Sequence, residues 1–369
     1  MTNWNTYRML LRFTPRPRLK CSGGAVPGEI LSVYKKYRVP GFSLATFDTS
    51  GTEYVFCAGL AGKKQPVTAD TLFRCASVSK HITAMGIMKL IQDGLCDPDE
   101  DVNRYLPFPL RHPKAPDTPI TLRMLITHTA GIHDGAAYQK ALADGGTLSG
   151  IMRGDSYTEH TPGKGWEYSN LGAGIAGCVL EGMTGKNFDT LMKEVLFDPL
   201  GVRASYYPQR LGGRLADAVR VFPKRSVCYD AKERLARALP ADMADPEHHY
   251  VLAHGNLCIS SGDMAVLGHE LMCPGFLTKD TLAAMRRQYA SFGSRAKDLC
   301  QGMGTFILNN PSMSENTLYG HQGLAYGAVH GIFYDPAKGR GFVSLTTGAG
   351  EARNGVMTDL NADLIRLLL

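Results

Sequence analysis

Short β-rich runs stand at both ends of this chain, and the long stretch between them is helix-periodic. Toward the N-terminus "GFSLATFD" (41–48) and "EYVFCAGLAG" (53–62) alternate like two strands around a "TSGT" hairpin turn. Toward the C-terminus "TFILNN", "TLYGHQG", "YGAVHGIFYD" and "GRGFVSLTTGAG" follow one another, divided by "NNPS" and "DPAKG" turns. This distribution predicts an α/β chain of the α+β type, with one sheet assembled from both termini and the helical middle as an insertion lobe.

The expected helices have clear punctuation. "GEILSVYKKYRV" (28–39) is amphipathic and ends at Pro40–Gly41, and the apolar segment 73–94 closes on Gly94. "TLRMLITHTAGI" (121–132) reads as a short helix stopped by Gly131. Segments 170–185, 187–201 and 260–272 follow, the first two closed by glycine, and "MTDLNADLIRLLL" (357–369) is a terminal helix. With 369 residues, 44% of them hydrophobic and 20% charged, the chain can bury a large core.

Charge and cysteine content narrow the class. Arg8, Arg12, Arg16, Arg18 and Lys20 supply five of the six net positive charges, so the body beyond residue 24 is nearly neutral. Residues 1–24 are therefore read as a solvated basic arm, and 25–369 as one domain: an α/β lobe at about 25–85 and 250–369, and a helical lobe at about 86–249. No basic face interleaved with aromatics suggests nucleic acid. Nine scattered cysteines, an odd count with no C-x-x-C pair, argue against a disulfide framework and a zinc site. No metal or cofactor is expected, and His248–His249 in "DPEHHY" is read as a surface loop. "MLL" is too short for a signal-peptide core and no run is long enough to span a membrane, so a cytoplasmic protein is expected, its oligomeric state open.

The chemistry concentrates in three places. Ser77 opens the 73–94 helix and Lys80 follows three residues on, so hydroxyl and ammonium share a face. A serine in the first turn also offers an unpaired N–H to an oxyanion, and a desolvated lysine can relay the hydroxyl proton. Alone, Ser-x-x-Lys is also what a capping serine and an exposed lysine would give. Tyr168 and Asn170 in "WEYSN" sit two apart, the tyrosine a possible proton shuttle beside a lysine cation, the asparagine a partner for the lysine or a substrate carbonyl. His321 and Gly323 in "YGHQGLAYG" open a β-rich stretch whose backbone could supply a second oxyanion donor, Gly323 letting substrate approach closely. Cys75 lacks a basic partner and is read as structural; His81 and His128 are read as packing residues, and Trp166 as cleft wall or packing.

Together, and through "PGFSLATFD", "TLFRCASVSKHITAMGIMKLIQDGLCDPDEDVNRYLP", "ITLRMLITHTAGI", "TPGKGWEYSNLGAGIAGCVLEGMTG" and "GHQGLAYGAVHGIFYDPAKGRGFVSL", the chain resembles the serine β-lactamase and penicillin-binding-protein superfamily. Class C β-lactamases, DD-carboxypeptidases, D-aminopeptidases, D-amino acid amidases and related esterases form the nearest group. The resemblance implies an antiparallel sheet packed by helices, an all-helical lobe and a site in the cleft. It implies Ser77 as acylated nucleophile, Lys80 as its base and Tyr168 as proton shuttle. Asn170 and His321 would contact substrate, and the N–H groups of Ser77 and Leu324 would hold the oxyanion.

The third motif departs from the family. His321-Gln322-Gly323 lacks the hydroxyl that lysine- or histidine-threonine-glycine motifs turn to a substrate carboxylate. Gln322 is expected to fill that space and disfavour penicillins, and a threonine there to restore them. The reading is a serine hydrolase of small esters, or of amides and short peptides with a D-configured acyl residue. A β-lactamase or D-alanyl-D-alanine carboxypeptidase, and a non-catalytic binding protein of the same fold, are the alternatives.

Overall fold

The computed structural model describes residues 13–15, 18–22, 25–62, 64–212, 215–222, 226–228, 245–350 and 352–369. Arg8, Arg12 and Arg16 of the basic leader lie outside them. Nine strands form one antiparallel sheet: β1 (Gly41–Asp48), β2 (Gly51–Gly62), β3 (Gln65–Pro66), β4 (Ala290–Ser291), β5 (Leu299–Gln301), β6 (Phe306–Leu308), β7 (Leu318–Ala325), β8 (Ala328–Asp335) and β9 (Arg340–Thr346). Their order is β4–β5–β6–β7–β8–β9–β1–β2–β3. The two chain ends meet where β9 pairs with β1, from Arg340 opposite Asp48 to Thr346 opposite Phe42. The expected sheet from both termini is the one observed.

Alternation along the strands sends side chains to two cores. Phe42, Leu44, Phe333 and Phe342 pack with α1 (Gly28–Lys36) and α6 (Asp359–Leu368) through Ile30, Tyr34, Leu360 and Leu364. On the other face Phe47, Ile332 and Val343 join the larger core with α2 (Val78–Gln92) and α5 (Ser261–Met272). Helix α2 is buried almost all round, from Val78 to Met88 and again at Leu90, so it is a core helix rather than an amphipathic one. It also runs unbroken across position 86, where the helical lobe was expected to begin.

Helices α3 (Leu122–Ile126) and α4 (Asn170–Thr184) carry the remaining site segments. The first is shorter than expected: it stops at Ile126, before Gly131, because His128 takes a positive φ of 58°. In the segment 187–201 the α-helix Phe188–Met192 passes into a π turn at Lys193–Phe197. The basic leader is not simply a solvated arm. Phe13–Pro15 pairs with Ser226–Cys228, and further on the Lys20 carbonyl accepts from Gly59 N–H at 2.9 Å while Ser22 N–H donates to Cys57 O at 3.2 Å. No helix among the described residues is long and apolar enough to cross a membrane.

Candidate active site

A small three-stranded sheet delivers the chain to Ser77. Phe73–Arg74 pairs with Cys258–Ile259, which pairs on its other side with Ala204–Ser205. Cys75 N–H donates to Leu257 O at 2.8 Å, Ala76 turns through a positive φ of 49°, and α2 begins. That turn is strained for a residue with a Cβ. It leaves Ser77 partly exposed at the helix N-cap, its N–H without a protein acceptor among the described residues. Leu257 N–H in turn donates to Ser79 Oγ at 3.1 Å, so the 254–258 segment grips the Cys75–Ser79 turn from both sides.

Lys80 lies one turn on and is buried. Its Nζ donates to Asn170 Oδ1 at 2.7 Å and to the His254 carbonyl at 2.6 Å, and lies 3.1 Å from Ser77 Oγ, to which it donates as an ammonium. Burial pulls its pKa from 10.5 down to about 7, with the Asp134 carboxylate opposing and Arg74 assisting. Lys80 Nζ also stands 5.1 Å from the centre of the Tyr168 ring, and the nearby Ser77 hydroxyl favours the ionised phenol against the larger effect of burial. Burial raises the tyrosine pKa well above its ordinary value, so the phenol stays protonated. Of this pair burial draws the lysine toward neutrality and holds the tyrosine as a phenol.

Ser77, Lys80, Tyr168 and Asn170 are thus brought together. Strand β7 completes the group at Gly323. A Cβ there would collide with the Cys75 carbonyl and stand 3.1 Å from Ser77 N and Val78 N. The approach of the Cys75–Val78 turn to the strand by itself requires a glycine here. Leu324, the next residue, is half-buried. His321 is buried against Phe306, ring centroids 4.0 Å apart, and 6.5 Å from the Tyr168 ring. Its Nδ1 meets the Gln322 carbonyl at 2.6 Å, and burial holds the imidazole neutral.

Gln322 is not in the group. It points to the opposite face of β7, as its neighbours His321 and Gly323 require. There Nε2 donates to Val356 O at 2.6 Å, and Oε1 accepts from Thr358 N–H at 3.1 Å, Thr358 Oγ1 at 3.3 Å and Asn361 Nδ2 at 3.3 Å. The side chain ties the sheet to the start of α6 and cannot occupy a substrate carboxylate site.

Two residues escaped sequence reasoning. Asp134 accepts from Asn170 Nδ2 at 2.7 Å, Leu171 N–H at 2.9 Å and Ser169 Oγ at 3.1 Å, tying the start of α4 to the site. Nothing in "GIHDG" marks it, since its partners are 35 or more residues away. His254 contributes a backbone carbonyl, which no side-chain pattern reports. His128 does pack, and in doing so it holds the Tyr168 loop. Its ring lies 4.5 Å from the Tyr168 ring, its Nδ1 accepts from Ser169 N–H at 3.2 Å and its carbonyl from Glu167 N–H at 2.9 Å. Trp166 packs on Phe292 at 4.1 Å, and Cys75 is buried with its thiol pKa raised. His249 is not on a surface loop: it is buried against the Glu181 carboxylate at 2.9 Å. No group of three or more His, Cys, Asp or Glu side chains among the described residues is arranged to hold a metal ion.

Comparison with known proteins agrees with this geometry. The Beta-lactamase family model matches residues 27–366. Esterase EstB of Burkholderia gladioli is 28% identical over 337 residues, covering 81% of this chain and 84% of the esterase. Among solved structures, EstCE1, a hydrolase with promiscuous acyltransferase activity, superposes with a TM-score of 0.75 at 23% identity, covering 92% of this chain and 97% of that one. D-amino acid amidase from Ochrobactrum anthropi SV3 gives 0.73 at 24% identity, with 92% and 96% covered. These two carry the fold; the family match carries the descent, and the chain belongs to the Beta-lactamase family, as a serine hydrolase of that superfamily.

Proposed function

We propose that the protein hydrolyses small neutral esters, or amides and short peptides with a D-configured acyl residue, through an acyl-enzyme on Ser77. The observation that carries this is the buried Lys80, its pKa drawn to about 7, in hydrogen-bond contact with the Ser77 hydroxyl at 3.1 Å. Ser77 Oγ attacks the carbonyl carbon and its proton passes to Lys80. The N–H groups of Ser77 and Leu324 hold the oxyanion. As the intermediate collapses, Tyr168 protonates the leaving oxygen or nitrogen and recovers a proton from Lys80. Water then attacks the acyl carbonyl, its proton returns to Ser77 by the same two groups, and the carboxylic acid leaves.

Preference for neutral acyl groups rests on His321, whose imidazole burial holds neutral, so the third motif brings no cation to a substrate carboxylate. The esterase relative, similar along most of both chains, supports ester substrates, and the amidase fold neighbour keeps D-amino acid amides in view. The described cysteine side chains are free thiols, which supports a reducing, cytoplasmic setting.

Turnover of p-nitrophenyl esters, D- and L-amino acid amides and nitrocefin, with Ser77→Ala as control, tests the reading. Esters or D-amides should be turned over, and a fluorophosphonate should add once, at Ser77. Ser77→Ala should lose on the order of 10⁶ in turnover. Labelling elsewhere removes Ser77 as nucleophile, and efficient nitrocefin turnover puts the β-lactamase alternative ahead.

A further inference from the structure

A neutral amine has two N–H donors and one lone pair, and Lys80 Nζ touches three oxygens. The His254 carbonyl at 2.6 Å and Asn170 Oδ1 at 2.7 Å can only accept, so they take both hydrogens. The lone pair is left for the Ser77 hydroxyl at 3.1 Å. That division holds only while Asn170 turns its oxygen, not its NH₂, toward the lysine. With the amide reversed, an N–H would point at the lone pair and occupy it.

The far end of the amide decides which way it faces. Asp134 Oδ2 lies 2.7 Å from Asn170 Nδ2, and an ionised carboxylate only accepts. Asp134 is itself fixed, since its Oδ1 accepts from Leu171 N–H at 2.9 Å and Ser169 Oγ at 3.1 Å. We propose that Asp134 is a positioning residue for the Ser77–Lys80 pair: it holds the Asn170 oxygen on Lys80 and thereby aims the lysine lone pair at the serine hydroxyl. This rests on the acyl-enzyme reading and adds a residue to it.

The charges around Lys80 make the proposal readable in a pH profile. His81 on its own helix, His128 from the loop after α3, His254, and His321 on β7 are all held neutral by burial, and Tyr138 and Tyr168 stay protonated phenols. The charged groups acting on Lys80 are Asp134, which favours the ammonium, and Arg74, which opposes it while its Nε and Nη2 are held on Asn256 Oδ1 at 2.8 and 2.5 Å. Neutralising Asp134 therefore makes Lys80 easier to deprotonate even as it frees the Asn170 amide to turn.

The test is the pH dependence of Ser77 phosphonylation by a fluorophosphonate and of kcat/KM for p-nitrophenyl butyrate. Asp134→Asn keeps the shape, yet its amide can serve Leu171 N–H and Ser169 only by turning NH₂ toward the NH₂ of Asn170. The plateau rate should fall about 10- to 100-fold, and the rising limb should move to lower pH. In the exchange variant Asp134→Asn/Asn170→Asp the hydrogen-bond pattern is restored with the negative charge beside Lys80. Its plateau should recover in part, and its limb should lie above the wild-type limb. A limb that stays at the wild-type pH in Asp134→Asn, whatever happens to rate or melting temperature, overturns the proposal and leaves the Ser77 mechanism standing. If Asp134→Asn does not fold, the exchange variant decides alone, and an unmoved limb there overturns it too. Failure of the wild-type protein to label at Ser77 overturns the acyl-enzyme reading and this one with it.

Discussion

Among single residues, burial does most to decide what each group can do. An exposed lysine is an ammonium at neutral pH and no base at all; Lys80 is buried, and its pKa falls from 10.5 to about 7. A group depressed in this way is protonated below pH 7 and free above it. On the proposed mechanism kcat/KM for a neutral ester should therefore rise about tenfold per unit below pH 7 and level off above it. The measurement is a pH–rate profile corrected for background hydrolysis, and a rise delayed beyond pH 9 would remove Lys80 as the base. Tyr168, its pKa raised by burial, is suited to give a proton rather than to take the first one. Tyr168→Phe should slow turnover by roughly 10²–10⁴ with the melting temperature little changed. Gln322 is a residue of the fold. Gln322→Thr leaves Val356 O and Asn361 Nδ2 without their glutamine partner, and should cost about 1–3 kcal/mol in urea denaturation. Its hydroxyl would lie on the far face of the sheet, so acylation by nitrocefin should not increase.

Elements matter here through the distances at which they approach. Strand β7 meets the Cys75–Val78 turn backbone to backbone, which Gly323 alone permits. Gly323→Ala would push the strand from the turn and disturb both proposed oxyanion donors together. Because small misplacements near reacting atoms are expensive, kcat/KM should drop about 100-fold or more. Steady-state kinetics beside thermal melting checks it, and a near-normal rate would mean that the strand does not form part of the site. Helix α3 shows why the sequence misled locally. Its apolar periodicity continues toward Gly131, but His128 leaves helical geometry to hold the Tyr168 loop through its ring, Nδ1 and carbonyl. Contacts with residues some 40 positions away outweighed a helix propensity that is only a weak preference.

In the whole molecule, the pairing of β9 with β1 joins the two chain ends and brings Ser77 beside Gly323, although 246 residues separate them. Helices α1 and α6 share one core behind that seam. Leu364→Ala, a buried change in the last helix, should cost about 2–5 kcal/mol. Loss of ester hydrolysis and loss of far-ultraviolet ellipticity should then coincide in thermal melts of both proteins, since the site and the sheet are held by the same pairing. Activity lost well before ellipticity would show that the two halves of the site part without unfolding the sheet.

The strands and most helices were readable along the chain, because hydrophobic alternation, caps and glycines act over a few residues: β1, β2, β8 and β9 and helices α4, α5 and α6 lie where the pattern put them, while α2 starts at Val78 because Phe73–Arg74 pairs as a strand with Cys258–Ile259. That Ser77, Lys80, Tyr168 and Asn170 form one group was legible too, since their spacing and residue types already form a chemical set. The rest was settled by folding in three dimensions. Whether a side chain on β7 faces the cleft or the back of the sheet depends on strand register, and that turned Gln322 away. Which carboxylate reaches Asn170, and which carbonyl reaches Lys80, depends on chain segments brought together across the fold. Burial is the same kind of quantity. No stretch of sequence carries the desolvation that shifts Lys80, because it is the sum of every element packed around it.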